Sequence, residues 1–309
     1  MEGAGYTPAA MVQSGAGRPF IGSQSMVAPL RQVIVKRPAE AFASPSKLEA
    51  EWRDLGFGGL PDLARARDEH AAFVALLEGA GAEVLVLPAA ADTTLDSIYV
   101  HDPGLVTDAG AVVFNMGKPQ RRGEGPALRA ALAAFGVPVL GEVEAPATAE
   151  GGDMLWVDRE TLVAGRTYRT NGAGVARIRD LLAPVGVEVI EAGLPSWNGP
   201  DDLIHLLSLV SPVAEDLAVV YRPLTPIPLL ELLEDRGYRL VDVPAEEFPL
   251  MGPNVLALAP RLVVMLRGLP RTRAALEAAG CEVLEYAGDE ISRKGNGGPT
   301  CLTRPVSRG

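Results

Sequence analysis

At 309 residues, 48% hydrophobic and 22% charged, the chain has the apolar content to bury a large core and too much of it to stay disordered. A net charge of -11 with no lysine- or arginine-rich run argues against a nucleic-acid or anionic-membrane partner and favours a small cationic one. Two cysteines, without CxxC or zinc-type Cys/His spacing, exclude a disulfide framework and fit a reducing cytoplasm.

Residues 1–27 are rich in Gly, Ala and Ser and lack the basic segment and apolar core of a signal peptide, so a flexible tail is expected. No apolar run approaches the roughly 18 to 20 residues needed to span a bilayer. From there one pattern recurs: "FVALLEGAGAEVLVLP", "LRAALAAFGVPVLGEV", "IRDLLAPVGVEVIEA", "LLELLEDRGYRLVDV" and "TRAALEAAGCEVLEY". In each, a helix-like stretch ends at a glycine, Gly81, Gly136, Gly186, Gly237 or Gly280, and passes directly into a β-branched strand. A strand precedes each helix, at "RQVIVKRP", "GAVVFNM", "TLVAGR", "LAVVYRP" and "RLVVMLRG", and "GLVTD" and "DMLWVD" add a further one in some copies. Strand-helix-strand modules of about 50 residues that cannot bury their apolar faces alone must pack together. Over residues 28–305 they predict a single α/β domain, a five-bladed propeller with pseudo-five-fold symmetry. An open doubly-wound sheet with a dinucleotide site is disfavoured, because no G-x-G-x-x-G follows a strand.

In such a ring the segments between modules converge, which gives weight to "TLDSIYVHDPGLV", "ATAEGGDMLWV", "GPDDLIHLLSLV" and "GNGGPTCLTRP". Cys301 follows a run of glycines and a proline; taken alone it is as readily a packed thiol as a nucleophile. Cys281 stands at a strand position and is expected to pack. Of the three histidines, His70 lies on a charged helix and is expected to be solvated, while His101 adjoins Asp102 as a local hydrogen-bonding residue. His205, preceded by Asp201 and Asp202, is the remaining acid/base candidate. Glu150 precedes "GGD", and Asp96 and Asp102 fall on one side of a stretch read as extended. A thiol, an imidazole and several carboxylates on one cavity suit a guanidinium, which carboxylates bind through paired hydrogen bonds.

"LDSIYVHDPGLV", "GKPQRRGE", "EGGDMLW", "YRTN", "HLLS" and "GGPTC", in this order, resemble the guanidino-group modifying enzymes of the pentein fold, most closely the dimethylarginine dimethylaminohydrolases. The resemblance implies that Cys301 attacks the guanidinium carbon to form a covalent thiouronium, that His205 protonates the leaving amine and activates water, and that Glu150 and Asp102 hold the guanidinium nitrogens. It implies that Asp96 meets the substrate's α-ammonium and that Arg121 and Arg169 take its α-carboxylate. No metal or organic cofactor is implied, and the expected chain is a cytoplasmic monomer or homodimer acting on a small guanidino substrate. Leu207 stands where arginine deiminases and amidinotransferases of the fold carry an aspartate and the dimethylarginine hydrolases a lysine. That replacement is read as an apolar surface tolerant of N-methyl groups. Amidinotransferase or arginine deiminase activity is the alternative within enzymes, and a non-catalytic binding protein of this fold the alternative outside them. Residues 54–66 are Gly-rich and read equally as a lid or as an ordinary surface loop.

Overall fold

The computed structural model describes residues 22–196, 199 and 204–309. All five glycines adopt a left-handed φ: 90° at Gly81, 71° at Gly136, 81° at Gly186, 83° at Gly237 and 88° at Gly280. Each N–H donates to the carbonyl three residues back, closing the helix where any side chain would be strained.

The first module runs through β1 (Leu30–Val35), short helices α1 (Pro38–Ala41) and α2 (Pro45–Glu51), α3 (Leu63–Gly79) and β2 (Glu83–Val86). The second comprises β3 (Gly104–Thr107), β4 (Gly110–Val113), α4 (Glu124–Ala134) and β5 (Val139–Glu142). The third comprises β6 (Met154–Trp156), β7 (Thr161–Arg166), α5 (Gly172–Leu182) and β8 (Glu188–Gly193). The fourth has β9 (Val210–Ala214), β10 (Leu217–Val220), α6 (Ile227–Asp235) and β11 (Arg239–Asp242). The fifth has β12 (Leu256–Ala259), β13 (Leu262–Leu266), α7 (Pro270–Ala278) and β14 (Glu282–Tyr286), and β15 (Arg304–Arg308) follows it.

Every module therefore forms a three-stranded sheet, where the sequence indicated a third strand in only some copies. The middle strand pairs in parallel with the strand that follows its helix and antiparallel with the third. Middle strands such as β4 and β10 are buried at all positions, as expected of strands covered on both faces. Burying each Val or Leu side chain there is worth about 1.5–3 kcal/mol.

Closure comes from the chain's last strand. β15 pairs antiparallel with β1, so the first sheet reads β15-β1-β2 and its third strand arrives after all the others. The domain accordingly runs past residue 305. Strands also meet across modules, β9 against β12, β1 against β12 and β15 against β3. The linkers feeding them converge at one end of the ring.

Three local expectations are corrected. The expected tail extends too far: residues 1–21 lie outside the described residues, but Ser23, Gln24 and Val27 are buried, and the Gly22 carbonyl accepts the Arg308 N–H. His70 is not solvated; it is 2% exposed with its ring against Phe73, because the helix turns that position inward, and burial pushes its pKa down to about 4. Residues 95–98 form a 3-10 turn, not an extended strand, since Leu95 and Ile98 both bury inward. Cys281 is buried in the main apolar cluster, as expected.

Candidate active site

The segment after β14 makes a turn at Asp289–Arg293, then a Gly-rich loop that delivers Cys301 just ahead of β15. The neighbouring linker bolts this loop down. His101 N–H donates to the Cys301 carbonyl at 3.2 Å, and its Nδ1 meets the Thr303 carbonyl at 2.7 Å. Burial and the nearby Arg304 charge push the His101 pKa down to about 3, so the ring is neutral and Nδ1 carries the proton it donates. The glycines serve protein packing at close quarters: a Cβ at Gly295 would collide with the Tyr99 hydroxyl and the Phe57 ring, one at Gly297 with the Tyr99 ring, and one at Gly298 with the Asn254 side chain.

Cys301, His205, Asp96, Asp102, Arg121 and Arg169 border one cavity of about 360 Å³, a volume suited to an amino-acid-sized ligand. Glu150 lies just behind, 0% exposed, with Oε2 accepting from His205 Nε2 at 2.9 Å and from Arg169 Nη1 at 3.2 Å. Its other oxygen accepts the Lys118 N–H at 3.1 Å. Burial alone would raise the Glu150 pKa, but the His205 hydrogen bond and the Arg169 charge override it and hold the carboxyl at about 2. Reciprocally, burial would lower the His205 pKa, but the charges of Asp153 and Glu150 win and raise it to about 9. His205 is therefore an imidazolium at neutral pH. Gly152 is required beside it, since a Cβ there would lie 2.7 Å from Nδ1.

Asp102 accepts the Gly152 N–H at 2.9 Å and an Arg121 Nη1–H at 2.6 Å. Burial opposes its charge, but Arg121 and His205 more than offset this and hold it well below the ordinary carboxylate range. The Cys301 thiol is pushed up to about 12, first by burial and then by the Asp102 charge, against opposing hydrogen bonds from the Gly298 backbone and the Asn254 amide.

Two expected substrate contacts are already occupied. Arg121, 3% exposed, grips Glu124 with Nε and Nη2, each at 2.8 Å, and Asp102 with Nη1, so its fork is committed to fixing Asp102. Asp96 accepts Lys118 Nζ at 2.7 Å, and that ammonium also donates to the Leu55 carbonyl. Leu207 is 2% exposed and packed in the core; Ser208 borders the cavity in its place. Asp201 and Asp202 lie outside the described residues. In residues 54–66, Leu55 and Gly56 border the cavity, and the Gly58 N–H donates to the Lys294 carbonyl at 2.7 Å.

Sequence reasoning also missed Asp153, fully buried and placed to charge His205; it accepts the Thr167 and Thr170 hydroxyls at 2.8 and 2.6 Å and the Leu206 N–H at 3.2 Å. Its signal was present in "EGGD". Donor atoms of Asp102, Glu150 and His205 lie within 4.8 Å of one another, a metal-like spacing, but guanidinium groups from Arg121 and Arg169 already neutralise the two carboxylates.

Comparison with known proteins identifies the family. The family model for N,N dimethylarginine dimethylhydrolase, eukaryotic, matches residues 61–308. The N(G),N(G)-dimethylarginine dimethylaminohydrolase of Streptomyces coelicolor is 29% identical, over 89% of this chain and 96% of its own. The enzyme of the same name from Pseudomonas aeruginosa is 26% identical, over 79% of this chain and 90% of its own. A solved structure of the Pseudomonas aeruginosa enzyme, a cysteine-to-serine mutant complexed with citrulline, superposes with a TM-score of 0.74 at 24% identity, covering 89% of this chain and 99% of that one. A ring of five three-stranded sheets carrying this family's match across most of its length makes the chain a member of the dimethylarginine dimethylaminohydrolase family, within the pentein superfamily of guanidino-modifying enzymes.

Proposed function

We propose that this protein hydrolyses an N-methylated arginine, dimethylarginine to citrulline and dimethylamine, with Cys301 as nucleophile. The observation that carries the reading is the single cavity on which the Cys301 thiol, the His205 imidazolium and the Asp102 carboxylate meet. A guanidinium seated on Asp102 and Glu150 brings positive charge to the sulfur and lowers the thiol pKa, so substrate generates the thiolate that attacks it. Attack on the guanidinium carbon gives a neutral tetrahedral adduct. His205 protonates the departing nitrogen, the C–N bond breaks, and dimethylamine leaves a cationic thiouronium beside neutral imidazole. Imidazole then takes a proton from water as hydroxide adds to the same carbon; the C–S bond breaks, citrulline forms, thiolate returns and one proton passes to the released amine.

Arg169 holds Glu150 by one nitrogen at 3.2 Å, so a substrate α-carboxylate can compete for it and free Glu150 for the guanidinium. Asp96 then receives the α-ammonium in exchange for Lys118. Arg121 positions Asp102, which replaces its expected contact with the substrate. Incubation with asymmetric dimethylarginine is expected to yield citrulline and dimethylamine, and Cys301→Ser to abolish both. Citrulline from arginine alone would make the protein a deiminase, transfer to an added amine would make it an amidinotransferase, and no product from folded protein would remove the hydrolase reading.

A further inference from the structure

The Asn254 amide belongs to a segment far from the nucleophile in sequence, yet it touches that loop twice. The segment enters β12 after a left-handed Met251 at φ 67°, and the Asn254 N–H donates to the Met251 carbonyl at 3.0 Å. The side chain, 4% exposed, accepts the Thr300 N–H on Oδ1 at 3.1 Å. That contact fixes which way the amide faces, because only an oxygen can accept there. Nδ2 is then turned to Cys301 Sγ, 3.5 Å away. Gly298 runs directly against the amide, where a Cβ would lie 2.5 Å from it.

Around this sulfur the charged groups pull in opposite directions. Asp102 disfavours thiolate and Arg121 favours it, while burial disfavours it most. Arg121 is spent on Asp102 and Glu124. Among the described residues, the side-chain donor placed on the sulfur itself is the neutral Asn254 amide.

Taking Cys301 as the nucleophile, a premise shared with the proposed function, we infer that Asn254 is a further catalytic residue whose amide donates to the sulfur and stabilises its thiolate. A hydrogen bond to a charged acceptor is worth about 1.5–3 kcal/mol, so its removal lowers the thiolate fraction about tenfold or more. A purely structural Asn254, pinning the loop through Thr300, predicts the opposite sign. Releasing the pin would admit more water and bring the half-buried thiol down towards its ordinary pKa.

The experiment is the rate of Cys301 alkylation by iodoacetamide at fixed pH, followed by mass spectrometry of the Cys301 peptide in Asn254→Leu and Asn254→Ser. Circular dichroism confirms folding, and the serine variant serves if the leucine variant does not fold. The expected result is alkylation slowed about tenfold, and, with the substrate turned over, kcat lowered while KM changes less than twofold. An unchanged or faster alkylation overturns the role of Asn254. The alkylation arm needs no substrate, so it reads the same if the hydrolase assignment fails; absence of turnover in the parent protein removes that assignment and leaves the Asn254 result standing.

Discussion

Two sets of glycines in this ring do different physical work. Gly81, Gly136, Gly186, Gly237 and Gly280 have left-handed φ, and an added Cβ at Gly81, Gly186, Gly237 or Gly280 would meet nothing within 4 Å. Gly151, Gly152, Gly295, Gly297 and Gly298 lack left-handed φ, yet a Cβ at each would collide with a neighbour. The outer set provides backbone conformation at module turns; the inner set provides space at the site. Sequence alone shows ten glycines of one kind, and only their surroundings separate them.

The comparison breaks most visibly at Gly152. Gly152→Ala drives a methyl group into the His205 ring, and a displacement of about 1 Å at a catalytic group costs on the order of 100-fold in kcat/KM. The fold should survive, so normal circular dichroism with citrulline formation down about 100-fold is expected; activity within threefold of the parent would mean that His205 needs no such confinement. Gly186→Ala tests the other set. Its left-handed φ costs about 1 kcal/mol for alanine, read as a lower urea midpoint, with kcat/KM unchanged within twofold. A loss of activity there would erase the distinction. A third effect is electrostatic and concerns the imidazole that the inner set confines. His205 has a folded pKa of about 9 against an ordinary value of 6.5, so its contribution to stability is full below pH 6.5 and is lost as pH rises through 9. Melting temperature is expected to fall across that window, and His205→Gln to flatten that part of the profile.

Much of the ring was legible because a helix ending in a left-handed glycine before a β-branched strand is a local signal that needs no partner to be read. The third strands are different. β9 and β12 are short and almost uniformly buried, so they carry no alternation, and β9 contains Pro212. β15 reads as "RPVSR", which looks like a polar tail. Its arginines are 4% and 2% exposed because backbone carbonyls take up their guanidinium hydrogens, Arg304 at His101 and Arg308 at Ala28 and Ala257. At the site, Cys301, His205 and Glu150 were readable from linker motifs. Lys118, Glu124, Asp153 and Asn254 were not, since each is placed by a contact with a residue distant in sequence or on another turn, and such pairing leaves no periodic trace in sequence.

β15 begins three residues after Cys301 and supplies the seam that seals the first sheet. Sealing and arming are thus one event. With Cys301 as the proposed nucleophile, a molecule whose seam has parted has no placed thiol and is expected to contribute nothing to turnover. Specific activity then counts intact molecules, and a preparation half as active as another holds half as many sealed rings rather than uniformly slower ones.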